Sequence, residues 1–162
     1  MDRRRDSLRN FLDCFTLQVD IIKIGANTMA SLIKIEGIGK KYGTKLKMIG
    51  ISTTETLLER GRTPQGRKEV AEKSGITKTL ILEWVNLADL FRIQGVGEEY
   101  SDLLEEAGVD TVVELAQRNP ANLYNSVVDV NKKKKLVRKL PTEDQISDWV
   151  KQAKKLPRVV EY

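Results

Sequence analysis

The chain is written largely twice, and this duplication restricts its fold more than any other feature. Residues 35–58, IEGIGKKYGTKLKMIGISTTETLL, lie over residues 93–116, IQGVGEEYSDLLEEAGVDTVVELA, at a constant offset. Ile35/Ile93, Gly37/Gly95, Gly39/Gly97, Tyr42/Tyr100, Leu46/Leu104, Gly50/Gly108, Thr53/Thr111 and Leu57/Leu115 are identical pairs. Further on, Thr77, Ile81, Trp84, Val85 and Ala88 match Thr142, Ile146, Trp149, Val150 and Ala153 at an offset seven residues longer. The whole unit is doubled, and its second copy carries an insertion. Two equivalent units, 29–92 and 93–162, are therefore expected to pack as one compact body.

Helix signals are dense in both copies. Ser52 with Glu55, Thr111 with Glu114, and Thr142 with Gln145 read as capping boxes; Thr63-Pro64 and Asn119-Pro120 place a cap before a proline at the first helical position. No alternating strand pattern competes. Short helices are expected near 30–35, 39–49, 54–60, 64–73 and 78–91. Their counterparts fall near 98–107, 112–118, 120–127, 131–139 and 143–155, so the fold reads as all-α. Residues 1–28 lie outside the duplication, yet Leu8, Phe11, Leu12, Phe15, Val19 and Ile22 keep helical spacing up to Gly25. This predicts an extra N-terminal amphipathic helix that packs on the body or on a second chain, unless Met29 is the biological start and the segment an upstream extension.

Composition removes most catalytic chemistry. The 162 residues include no histidine, which eliminates imidazole as base, nucleophile activator or metal ligand. Cys14 is the single cysteine, so neither an intrachain disulfide nor a thiolate zinc cluster can form, and the chain reads as cytoplasmic. The most apolar stretch, Leu80 to Phe91, is broken by Glu83, Asn86 and Asp89 and is shorter than the roughly 18 residues of a membrane span. A carboxylate nuclease using Glu98, Glu99 and Asp102 is the catalytic alternative, but adjacent acids on one helix usually form a solvated face and nothing supplies a base. The expectation is a protein that is not an enzyme, with no cofactor, no small-molecule substrate and no membrane.

The element running from Leu32 through Gly37-Ile38-Gly39 to Lys40, Lys41 and Tyr42, followed by Leu46 and Gly50, has an apolar helix end, a Gly-x-Gly turn and a second helix. Glycine suits a turn that reverses within a few residues and brings backbone close to a partner. The N–H groups of such a turn, with the positive end of the helix behind it, can hold one phosphate without reading sequence. This element resembles a helix-hairpin-helix motif. Through both copies and the repeated Trp-Val-x-x-Ala helix, the chain resembles a bacterial domain family of unknown function built from tandem helix-hairpin-helix units. That resemblance implies a compact helical module with nucleic-acid contact and no established reaction. The wider similarity to helix-hairpin-helix modules of repair and recombination proteins implies non-specific duplex binding through the Gly37-Ile38-Gly39 backbone, sometimes aided by a monovalent cation.

Charge separates the copies. Around the first turn, Lys34, Lys40, Lys41, Lys45 and Lys47 face only Glu36, and such a surface attracts phosphate. Residues 93–114 carry Glu98, Glu99, Asp102, Glu105, Glu106, Asp110 and Glu114 with no base, so the second turn reads as scaffold or protein-binding surface. Basicity returns at Lys132, Lys133, Lys134, Lys135, Arg138 and Lys139, a secondary patch that is either solvated or bound to a polyanion.

Ala71, Gly75, Ile76, Ile81 and Trp84, with Thr77 as cap, follow helix-turn-helix spacing. Leu82 and Glu83 would then meet base edges, where donors are needed, so helix packing is expected instead. Trp84, Trp149, Tyr42 and Tyr100 fall on apolar helical faces and read as core. The expected site is thus Gly37, Ile38, Gly39, Lys40, Lys41 and Lys45, binding nucleic acid without sequence preference. The alternative is a module that binds another protein.

Overall fold

A computed structural model describes residues 31–162; the amphipathic helix expected over 1–28 lies outside the described residues. A 3₁₀ turn at Leu32–Lys34 leads into α1 (Lys40–Met48), α2 (Thr54–Gly61), α3 (Pro64–Ser74) and α4 (Lys78–Leu90). The chain continues through α5 (Glu98–Glu106), α6 (Val112–Gln117), α7 (Pro120–Lys134) and α8 (Glu143–Ala153). The described residues are all-α, apart from an isolated bridge between Ser31 and Thr53.

Two apolar cores form. Leu32, Ile35, Leu46, Leu57, Ile81 and Trp84 build the first; Ile93, Leu104, Leu115, Val127, Ile146 and Trp149 build the second. In the first, α2 packs on α3 and α4; in the second, α8 receives α6 and α7, and α4 meets α5 between them. Matched residues take matched geometry. Gly50 and Gly108 both have φ +82° after the helix that precedes them, and Thr53 and Thr111 both cap the next helix. Arg60 and Arg118 each donate to a carbonyl in the loop before that cap, those of Ile49 and Gly108.

Several local expectations shift. The first capping box belongs to Thr53 rather than Ser52: Thr53 Oγ1 accepts from the Thr56 amide at 3.2 Å, and Thr56 Oγ1 accepts from the Thr53 amide at 3.0 Å. Thr142 with Gln145 forms the expected box, whereas Glu114 reaches back to the Asp110 amide, one residue before its cap. The helix expected near 30–35 is a single 3₁₀ turn. The helices expected at 120–127 and 131–139 are one helix, α7, because no glycine or proline interrupts residues 128–131. That helix ends where Lys135 turns left-handed at φ +53°. Asn131 then clamps the returning segment through both the amide and the carbonyl of Val137, at 2.9 and 3.1 Å.

The junction between the units is polar and buried. Asp89 accepts from Arg92 at 2.7 Å and from the Val112 amide at 2.8 Å, and Arg92 also donates to the Pro157 carbonyl at 3.0 Å. From there residues 157–162 return to the first unit, whose core includes Val159 and Val160. Arg67, 6% exposed, holds this segment by donating to the carbonyls of Gly61, Arg62 and Glu161. Among the described residues no helix is long and apolar enough to cross a membrane.

Candidate functional site

The first Gly-x-Gly turn is shaped from below. Ile35 and Ile38, each 2% exposed, are anchored in the core, and the Ile38 amide donates to the Ile35 carbonyl at 3.1 Å to close the turn. Gly37 between them has φ +82°, a conformation other residues resist. A Cβ on it would lie 3.2 Å from Trp84 Nε1. Gly39 differs: its backbone is extended (φ −72°), and among the described residues a Cβ there would meet nothing within 4 Å. Neither conformation nor packing asks for glycine at this position. As N-cap of α1, Gly39 supplies no side-chain acceptor. The first amides of α1, from Gly39 to Tyr42, thus have no intrahelical acceptor and head an exposed turn.

Gly37, Gly39, Lys40 and Lys41 come together at this helix start, all exposed. Ile38 is there only as backbone, with its side chain in the core and its amide engaged. Lys45 is half-buried, and its ammonium lies 3.9 Å from where a Cβ on Gly75 would sit, beyond the C-terminal end of α3. A cation there complements the negative end of that helix dipole.

The second turn repeats the backbone and reverses the charge. Gly95 has φ +91°, and its Cβ position is 3.1 Å from Trp149 Nε1. Tyr100 packs tilted against Trp149 with ring centroids 5.3 Å apart and planes at 51°, against 5.2 Å and 57° for Tyr42 and Trp84. Gly97 is an equally open N-cap, but Glu98 and Glu99 occupy the first turn of α5. Burial, then the charges of Glu83, Asp110, Asp102 and Glu106, pushes the Glu105 carboxyl up to about 7. Asp102 is raised as well, by burial first and then by Glu36 and Glu106, with Lys134 opposing. An anion approaching this end meets carboxylates.

In the secondary basic patch, Lys132, Lys133 and Lys134 form the last turn of α7. Lys132 pairs with Asp129 at 3.6 Å and Lys134 with Glu106. Lys135 lies at the left-handed cap, and Arg138 and Lys139 follow in a bend, all exposed. The patch spreads around a helix end rather than lining a concavity. Thr77 caps α4 as expected, while Leu82 is half-buried and Glu83 exposed, the arrangement of a packed helix. Among the described residues no three acidic, cysteine or histidine side chains are placed to hold a metal ion.

Sequence reasoning missed the seat of Gly37 on Trp84, although both residues recur in the second copy at matching places. It also missed Arg67 and the Asp89/Arg92 pair, which have no counterpart in the duplication and no local signature. No solved structure matches the chain. Residues 36–156 match the family model described as Domain of unknown function (DUF4332), and the chain belongs to that family.

Proposed function

We propose that this chain is a non-catalytic binding module whose Gly37–Gly39 turn acts as a helix-hairpin-helix clamp on nucleic-acid phosphates, without sequence preference. The observation that carries this reading is Gly39: a glycine that neither backbone conformation nor packing requires, heading an open helix start beside exposed Lys40 and Lys41. A phosphate oxygen at that position accepts from the free amides, gains from the helix dipole and faces two ammonium groups. The second turn has the same backbone but Glu98 and Glu99 in place of those lysines, which makes it an internal contrast.

Fluorescence anisotropy with unrelated duplexes at two salt concentrations tests the reading. The expected result is equal affinity for each duplex and a steep decline with salt, with a log–log slope of about 0.9 per phosphate neutralised. Replacing Lys40, Lys41 and Lys45 by glutamate should abolish retention, with Lys40 and Lys41 accounting for most of the loss. Gly39→Ser should also weaken binding, because a serine hydroxyl caps α1 and occupies the amides, while Gly97→Ser should leave binding unchanged. No binding at low salt, or binding unaltered by the lysine swap, overturns the proposal.

A second reading, contact with another protein, is favoured by two exposed apolar side chains around α1, Ile33 at 60% and Met48 at 82% exposure. Light scattering and pulldown on chains with and without residues 1–28 distinguish it; an unchanged monomer that captures nothing counts against it.

A further inference from the structure

Trp84 is 1% exposed, and its Nε1 has no hydrogen-bond partner among the described residues. A buried donor left unpaired is costly, and phenylalanine would fill most of the same space without that cost. The indole nonetheless touches both sides of the phosphate turn. Its Nε1 lies 3.2 Å from the Cβ position of Gly37, and its ring packs tilted against Tyr42, in the first turn of α1. Gly39 and the open amides lie between these two contacts. Trp149 takes the same seat under Gly95 and Tyr100, where the charge is unsuited to an anion.

We infer that Trp84 is a positioning residue for the anion site: it sets the height of the Gly37–Tyr42 segment over the core, and its unpaired N–H adds a positive dipole end beneath the turn. This rests on the phosphate-clamp reading above. The indole is too buried to touch a ligand, so it acts through the backbone it supports. In the interior, where screening is weak, such a dipole acts on neighbouring groups more strongly than it would in water.

The test is duplex binding by Trp84→Phe and Trp149→Phe across a salt series, with thermal unfolding of each variant as control. Trp84→Phe should bind about tenfold more weakly with the salt slope unchanged, because the lysines remain and only the amide geometry and the indole dipole are altered. Trp149→Phe should bind like the parent. If Trp84→Phe fails to fold, the readout moves to the Trp149→Phe protein, in which Trp84 is the remaining tryptophan. Adding duplex should then shift the Trp84 emission, and an unmoved spectrum at saturation overturns the inference. Equal affinity of a folded Trp84→Phe and its parent also overturns it while leaving the clamp intact. A parent chain that binds no duplex at low salt removes both.

Discussion

Single residues carry most of what separates the two units. Gly39 and Gly97 are the same open cap, and a change from lysine to glutamate at the two positions that follow puts carboxylates where the first helix start carries ammonium groups. The acid that has accumulated around α5 has a thermodynamic consequence at Glu105, whose carboxyl is raised from 4.5 to about 7 by burial and then by Glu83, Asp110, Asp102 and Glu106. Between those two values the folded chain holds a proton that the unfolded chain has released. Stability therefore falls as pH rises through that window. Urea denaturation at pH 5 and pH 8 should show the higher midpoint at pH 5, and Glu105→Gln should flatten the difference. A midpoint that rises with pH to the same extent in both proteins would contradict this.

At the scale of elements, local rules explain which helices form but not how they close on one another. Gly61 and Gly66 let α2, α3 and α4 meet, since a Cβ on Gly61 would strike Val85 and one on Gly66 the Arg60 carbonyl. Arg67 then ties this corner to the C-terminal segment through three carbonyls, two of them at 2.8 and 2.9 Å. Arg67→Ala leaves those carbonyls in a buried site without their charged donor and should cost about 2–4 kcal/mol. The check is a lower urea midpoint at an unchanged m-value; a loss under about 0.5 kcal/mol would show that water replaces the guanidinium freely. Nothing local marks Arg67: a basic residue in the first turns of a helix after Thr-Pro reads as exposed until the tail arrives from 94 residues away.

Across the whole molecule the units are joined by more than adjacency. Asp89 leaves α4, binds Arg92 and accepts the amide that starts α6, while Arg92 holds Pro157 and the tail delivers Val159 and Val160 to the other core. Neither core is complete without residues of the other copy, so unfolding should be a single transition. Trp149→Phe leaves Trp84 to report on the first core, and Trp84→Phe leaves Trp149 to report on the second. Their fluorescence should change at the same urea concentration, coincident with loss of far-UV circular dichroism. Two separated transitions would show that the repeats fold independently. The secondary basic patch is also decided at this scale, since the pairing of Lys134 with Glu106 brings α7 against the acidic face of α5.

The amino-acid sequence alone determined the all-α class, most helix ends and the apolar positions of both cores. Caps, prolines and helical periodicity act over three or four residues and do not depend on what packs later. The paired glycines were legible for the same reason, as were the opposite charges beside them. Tertiary structure decided the rest: that the Lys45 ammonium lies beyond the end of α3, that Ile38 is engaged in closing the turn, that two expected helices are one, and that Trp84 lies beneath Gly37. Each of these outcomes depends on which distant segment arrives at a given surface. That is settled by the burial of the whole chain at once, not by the preferences of neighbouring residues.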